Sequence, residues 1–227
     1  MKATKKWISL LAMAMLLALG LTACSVQGGD ATAPSPEPAA ASQDSSAADT
    51  TQTEDESQAP DSDTAKTGLG KVLVAYYSGT GNTARVAQDI ADDTEGTLFE
   101  ITPADPYVGE DLNFNDPDSR ISHEYADESL RDVPLMTTEV PDWSSYDTVF
   151  VGYPIWWGNP AWAIYHFVSD NDFTGKTVIP FCTSESSGIG STGETLHEMA
   201  NTGNWENGQR FDEDATAEEV ERWVESL

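Results

Sequence analysis

Three short stretches of the chain carry residue types that could do chemistry together. The first is Ser78-Gly79-Thr80-Gly81-Asn82-Thr83, between an apolar run and an amphipathic one. Ser78, Thr80 and Thr83 offer hydroxyl donors, Asn82 offers an amide, and the two glycines let the backbone approach a ligand closely. Backbone amides at a helix start attract anions. The loop has no Lys or Arg, and G-x-x-x-x-G-K-[ST] is absent, so it is not a Walker A loop. Hydroxyls and amides converging on one spot suit a terminal phosphate monoester. A tight strand-to-helix turn would use the same residues without any ligand.

The second stretch is Tyr153 to Pro160, containing Pro154, Ile155, Trp156, Trp157 and Gly158. The prolines stiffen it and Gly158 frees a turn. An indole face there could stack on a planar heterocycle. Tryptophan is largely buried on average, so one of the pair is expected to be a core residue. Trp156 is assigned the ring contact ahead of Trp157. The third stretch is Thr183-Ser184-Glu185-Ser186-Ser187-Gly188-Ile189-Gly190. It is small and rich in donors, and could follow the edge of a flat ring.

Other chemistry finds less support. His123, His166 and His197 show no metal-ligand spacing, and no metal is expected. His166 and His197 fall in expected helices and read as structural. Cys182 lies within an apolar strand and reads as a buried, inert thiol. Ser187-Gly-Ile-Gly-Ser191 is not a G-x-S-x-G elbow. Acid pairs such as Asp92–Asp93 and Glu218–Glu219 read as solvated surface. No catalytic residue is assigned.

The elements that must position these loops follow from periodicity. Lys71 to Tyr77 is an apolar run read as a buried strand. Asn82 to Asp93 reads as a helix, with Val86, Ala87, Ile90 and Ala91 on one side. Thr97 to Ile101 is a second strand, stopped by Pro103. Residues 104–140 are polar and irregular, with a helix expected near 119–131. Asn113, Asn115, Arg120, His123 and Tyr125 could line a bound ring, but the loop reading is preferred for a connection of this length. Asp147 to Tyr153 and Thr177 to Thr183 are further buried strands. Pro160 is placed at the first position of a helix carrying Trp162, Ile164, Tyr165, Phe167 and Val168. Ser191-x-x-Glu194 and Thr216-x-x-Glu219 read as capping boxes. A short strand is expected near Gly208–Phe211. Strands alternating with helices, each strand nearly all apolar, mean a sheet covered on both faces. That is an open, doubly wound α/β sheet, whose ligands bind beyond the carboxyl ends of the strands. All three loops fall there.

The rest of the chain sets the context. It has 227 residues, with 39 Asp plus Glu against 11 Lys plus Arg, a net charge of −28. So acidic a chain argues against a nucleic-acid partner. Two cysteines cannot build a disulfide framework. Residues 1–23 read as a signal peptide: Lys2, Lys5 and Lys6 precede an apolar run from Trp7 to Leu21, short for a spanning helix. Leu21-Thr22-Ala23-Cys24 resembles a bacterial lipobox, which implies acylation at Cys24 and a lipid-anchored, extracytoplasmic protein. Residues 24–69 are Ser, Ala, Pro and acid-rich, and read as a disordered tether reaching roughly 35–40 Å. Residues 70–227 are the folded domain.

Tyr76-Tyr-Ser-Gly-Thr-Gly-Asn-Thr83, then Gly152-Tyr-Pro-Ile-Trp-Trp-Gly158, then Pro180-Phe-Cys-Thr-Ser184 with Gly188-Ile-Gly-Ser191, together resemble the flavodoxin family, in a branch with a WWG ring loop. The resemblance spans most of residues 71–227. It implies a flavodoxin-like sandwich with a five-stranded parallel sheet, strand order 2-1-3-4-5, and noncovalent FMN. Ser78 to Thr83 would hold the phosphate. Pro154 to Gly158 would cover one ring face. Thr183 to Gly190 would contact the pyrimidine edge. Many flavodoxins sandwich the ring between aromatics of both loops; loop three here has none, which implies an open second face. The family is usually cytoplasmic, whereas this chain carries an export signal.

The expected function is electron transfer through FMN, with redox proteins or a small donor and acceptor as partners and the membrane reached through the lipid anchor. The acidic envelope would disfavour adding negative charge to the flavin and would steer basic partners. Three rivals stand. One is an FMN-dependent NAD(P)H reductase of a small acceptor such as a quinone. Another is a dinucleotide binder, since Gly79-x-Gly81-x-x-Ala84 with Glu100 nearly fits that fingerprint. The domain leaves no room for a second catalytic domain, however. The last is a binding lipoprotein that has lost its cofactor.

Overall fold

A computed structural model describes residues 68–227. The signal-peptide and lipidation assignments, Cys24 included, lie outside the described residues, as does the tether up to residue 67. Among the described residues no helix is long and apolar enough to cross a membrane.

Strand β1 (Val72–Tyr76) runs between β2 (Thr97–Glu100) and β3 (Thr148–Trp156), parallel to both. β3 pairs in parallel with β5 (Thr177–Thr183) on its other side. The apolar strands bury both faces, with period-two alternation. Leu73, Ala75, Val149, Val151, Val178 and Cys182 face one layer, against Trp162, Phe167 and Leu196. Val72, Val74, Phe150, Ile179 and Phe181 face the other, against Val86, Ile90, Val220 and Val224. Helices α1 (Asn82–Thr94) and α5 (Ala217–Val224) supply that second layer. Helices α3 (Tyr165–Asp170) and α4 (Thr192–Ala200) supply the first.

The sheet has seven strands, which corrects the expected five. Its path is β2-β1-β3-β5-β6, with β4 and β7 off it. Two local causes account for the difference. β3 runs past the sheet and folds back through a two-residue turn, so that β4 (Asn159–Pro160) pairs antiparallel with Ile155 and Trp156. The last parallel position is split into β6 (Asn204–Trp205), beside Thr177 and Val178, and β7 (Gln209–Phe211), beside Phe181 to Thr183. The break falls opposite Pro180, which has no N–H to give the ladder. Gly208 crosses there so closely that a Cβ would lie 2.3 Å from the Pro180 carbonyl oxygen.

Two helix starts also differ from the sequence reading. Pro160 lies in β4, not at a helix start, and the helical turn begins at Trp162. Ser191 sits at the α4 N-cap with φ −95° and ψ 16°, where its side chain makes no cap bond. Its backbone is not in the extended region that aims an N-cap hydroxyl at the next turn. Thr216, at φ −89° and ψ 157°, forms the full capping box with Glu219. The fold starts slightly before residue 70, since the Leu69 carbonyl accepts the Thr148 hydroxyl at 2.7 Å.

The long connection between β2 and β3 is ordered by one buried carboxylate. Helix α2 (Arg120–Ala126) carries Glu124, which is 5% exposed. Its Oε2 accepts from the Tyr107 hydroxyl at 2.8 Å and from Trp162 Nε1 at 2.6 Å. Its Oε1 accepts from Arg120 Nε at 2.8 Å. The Arg120 guanidinium lies 3.9 Å from the centroid of the Tyr107 ring and also reaches the Asp105 carbonyl. Three donors from three parts of the chain therefore meet on one side chain. Removing one member of a buried charged network leaves the others uncompensated, at a cost of about 3–5 kcal/mol. Glu124→Leu is expected to lower unfolding free energy by about 3 kcal/mol in chemical denaturation. A loss under about 1 kcal/mol would mean that the network carries little net stability.

Candidate functional site

The loops after β1, β3 and β5 meet at one cavity of about 420 Å³, within the range of small-ligand sites. Loop one contributes Gly79, Thr80 and Asn82 to its wall. Loop two contributes Pro154, Ile155, Trp156 and Trp157, and loop three contributes Thr183, Ser184, Glu185, Ser186 and Ser187. Ser78, Gly81, Thr83, Gly158 and Gly188, also expected at the site, do not border it. Four of those shape the walls from behind. The Ser78 hydroxyl accepts the Gly81 N–H at 3.1 Å, and Gly81 takes φ 94° as the α1 N-cap. The Thr83 and Thr183 hydroxyls, both buried, share a 2.7 Å hydrogen bond that ties loop one to loop three. Gly158 has φ 79° in the turn of loop two. A Cβ on Gly188 would meet only the Gly190 nitrogen, at 3.9 Å.

The anion end is built from dipoles. α1 begins at Asn82, which borders the cavity beside Thr80, and the first amides of a helix carry partial positive charge with no intrahelical partner. Among the residues lining the cavity there is no Lys or Arg, while Glu185 and Glu213 are both present. The nearby arginines are engaged elsewhere. Arg85 donates to the Glu213 carbonyl at 2.6 Å and to the Ala215 carbonyl. Arg210 donates to the Ser184 carbonyl at 2.7 Å and the Ser184 hydroxyl at 3.1 Å, and it pairs with Asp212. Each arginine fixes a wall of the cavity.

The two tryptophans of loop two differ in burial. Trp156 is 8% exposed, with its indole edge-on to Tyr77, Tyr107 and Trp162 at 5.7, 5.2 and 4.8 Å. Trp157 is 36% exposed. Both border the cavity, but burial makes Trp156 the core member and Trp157 the presented one. The cause is the turn. Trp157 and Gly158 are the two central residues between the paired Trp156 and Asn159, with φ 46° and 79°. Positive φ at both positions is the primed hairpin turn, which favours Asn-Gly. Trp157 stands where Asn is preferred and is lifted out of the core.

Three lining residues come from the long connection: Leu112, Phe114 and Ile121. The sequence reading missed them, along with Glu213. The polar residues it singled out there, Asn113, Asn115, Arg120 and His123, do not border the cavity. Asn113 bonds Glu110 and the Asn115 amide instead. A signal was available, since Leu112 and Phe114 are isolated apolar residues in an otherwise polar run. Loop three has no aromatic, as its sequence shows, but Phe114, 54% exposed, brings one to the cavity wall from the long connection. Leu112 also packs under loop one, where a Cβ on Gly79 would lie 2.9 Å from it. Tyr125 stacks on Trp157 at 4.5 Å between centroids and 12° between planes.

The remaining candidates are structural. Burial pushes the Cys182 thiol up to about 12, so it is no nucleophile at neutral pH. His166 bonds Asp132 at 2.7 Å and His197 stacks on Trp205. No cluster that could hold a metal occurs among the described residues. Burial also raises Tyr77, whose hydroxyl has no hydrogen-bond partner in the protein.

Comparisons with known proteins agree with this arrangement. A family model described as Flavodoxin matches residues 71–227. A solved structure of a candidate flavoprotein from Bacteroides uniformis is 39% identical, with TM-score 0.62, covering 68% of this chain and 97% of that one. A second candidate flavoprotein, from Bacteroides eggerthii, is 36% identical with TM-score 0.62, covering 69% and 97%. A flavoprotein from Lactobacillus acidophilus, solved in complex with FMN, shares the fold at 23% identity and TM-score 0.50, covering 68% and 98%. A comparison with curated proteins gave no significant match. With its parallel sheet, its three loops at one end and a family match across the folded region, the chain belongs to the flavodoxin family.

Proposed function

We propose that the cavity binds FMN noncovalently and that the domain carries electrons, tethered by lipid at Cys24 outside the cytoplasm. One observation carries the cofactor assignment. A donor-rich helix N-terminus and a presented indole border the same cavity, at the carboxyl ends of the strands. The donor set suits a phosphate, since hydroxyls and amides need no proton or counter-charge to bind an anion. Thr80, Asn82 and the first amides of α1 would hold the phosphate. Trp157 would cover one face of the ring, with Phe114 near by. Thr183 to Ser187 would run along the ring edge, held in place by Arg210. Bound FMN supplies reversible electron transfer. The protein's own contribution is to orient the ring, exclude water with Trp156, Ile121 and Leu112, and set the local field.

A second reading, an FMN-dependent reductase of a small acceptor such as a quinone, draws on the exposure of Phe114 and Trp157 at the cavity. NAD(P)H-driven turnover of such an acceptor would favour it over simple electron carriage.

The extracytoplasmic reading rests on Lys2 to Cys24. Cys24→Ala is expected to move the protein from the membrane to the soluble fraction in a bacterial host, and a variant still wholly membrane-bound would refute acylation there.

For the cofactor, titration of the FMN-free protein should quench flavin fluorescence at micromolar concentration and give a shifted visible spectrum. No uptake at that level would overturn the assignment. Trp157→Gly should weaken FMN by about 5- to 150-fold, the worth of one stacked ring. It should leave the stability of the FMN-free protein within about 1 kcal/mol, because the glycine also relieves the positive φ. A larger effect from substituting Trp156 than Trp157 on affinity at equal stability would restore the reverse ranking.

The field prediction uses Glu185 and Glu213. A charge roughly 10 Å from the ring at an effective dielectric of about 40–80 is worth ~0.4–0.8 kcal/mol. Glu185→Gln and Glu213→Gln should each raise the first midpoint potential by about 20–35 mV at low salt, less at high salt. A fall in potential would contradict the cavity's assigned sign.

A further inference from the structure

Trp157 is held by a residue that lies outside all three loops. Its indole stacks face to face on Tyr125 of α2, at 4.5 Å and 12°. Tyr125 is 43% exposed and does not border the cavity, whereas Trp157 does. Tyr125 therefore meets Trp157 from outside the set of residues that line the cavity. The base of this stack is fixed. Arg131 donates to the Tyr125 carbonyl at 2.8 Å and the Glu124 carbonyl at 2.9 Å, clamping the end of α2. Its guanidinium lies 5.9 Å from the Tyr125 ring and 5.1 Å from the Trp162 ring. Glu124, one residue before Tyr125, bonds Trp162 Nε1 at 2.6 Å. Trp162 in turn lies parallel to Trp157, at 7° and 6.4 Å.

We infer that Tyr125 is a positioning residue for the cofactor ring: it backs Trp157 and sets the plane in which that indole is offered to the cavity. The inference rests on the reading that Trp157 contacts the flavin. Two features of the chain require such a device. Trp157 stands on a two-residue turn at positive φ, and the parallel ring centroid nearest to it is that of Tyr125, at 4.5 Å against 6.4 Å for Trp162. It is also more than a third exposed, so an unsupported indole would sample several rotamers and lose entropy when the ring arrives. A flat stacking partner removes that freedom beforehand. Tyrosine does this at the surface because its ring stacks while its hydroxyl stays in water.

The test compares Tyr125→Ala and Tyr125→Phe in the full chain. Tyr125→Phe keeps the flat partner and should bind FMN within about 2-fold of the parent. Tyr125→Ala should weaken FMN by about 3- to 10-fold and shift the midpoint potentials, because the plane of the indole over the ring changes. Adding Tyr125→Ala to Trp157→Gly should produce no further loss. Since Tyr125 is exposed, both variants are expected to fold, and far-ultraviolet dichroism checks it. Equal affinities and potentials for the parent, Tyr125→Phe and Tyr125→Ala would overturn the role of Tyr125 while leaving a large Trp157→Gly effect intact. An unchanged Trp157→Gly would show that the ring contact itself is wrong. Full additivity of the two losses would also overturn the inference, since Tyr125 would then act independently of Trp157.

Discussion

The cavity depends on a carboxylate that never touches it. Glu124 gathers donors from Tyr107, Arg120 and Trp162, and so joins the β2–β3 connection to the start of the α3 layer. That junction anchors the connection whose Leu112, Phe114 and Ile121 line the cavity. A buried charge is costly unless every lone pair is used. Here both oxygens accept, one from two neutral donors and the other from a guanidinium. The arrangement is directional as well as stabilising: three hydrogen bonds at fixed angles locate α2, where apolar contacts alone would tolerate sliding. The position of Tyr125, one residue on, is inherited from the same junction.

A second constraint runs through loop two. The chain places Trp-Gly at a turn whose geometry favours Asn-Gly, and accepts roughly 1–2 kcal/mol of backbone strain to do so. Nothing in the core requires this, because Trp156 already fills the aromatic cluster with Tyr77, Tyr107 and Trp162. A residue that breaks a local rule without contributing to the core is the kind of exception that binding sites produce. The strain and the exposure of Trp157 have one origin, since the turn that disfavours the side chain also lifts it toward the cavity.

The main elements were legible because their signals are local. Buried strands, the α1 amphipathic face and the Thr216 capping box all appear in short windows of sequence, and all are in the structure. Other features depended on how segments pack against one another. The split of the last strand follows from Pro180 in its neighbour, and Pro160 reads as a helix start until β3 is seen to fold back onto it. The Trp156 and Trp157 ranking could not be read from adjacent identical residues; only the turn register separates them. The long connection looked like a plain loop because its ordering bonds reach Trp162, nearly forty positions along the chain. Its polar residues drew attention, while its sparse apolar ones make the wall.

The electrostatics then explain why an aromatic contact is needed at all. The chain carries a net charge of −28, and Glu185 and Glu213 stand at the cavity, so the long-range field opposes an approaching anion. Arg85 and Arg210 do not outweigh that excess of acid, and their recorded hydrogen bonds go to backbone carbonyls and neighbouring side chains. Attraction comes from helix amides and hydroxyls, whose influence falls off within about one turn. A bare phosphate would meet repulsion at a distance and gain only at contact. A ligand that also carries a flat neutral ring gains a second, charge-independent term from the indole. The site therefore favours a phosphate attached to an aromatic system over phosphate alone. Under the proposed FMN reading, stacking and amide hydrogen bonds act as one recognition unit, so that loosening Trp157 would weaken the hold on the anion at the far end.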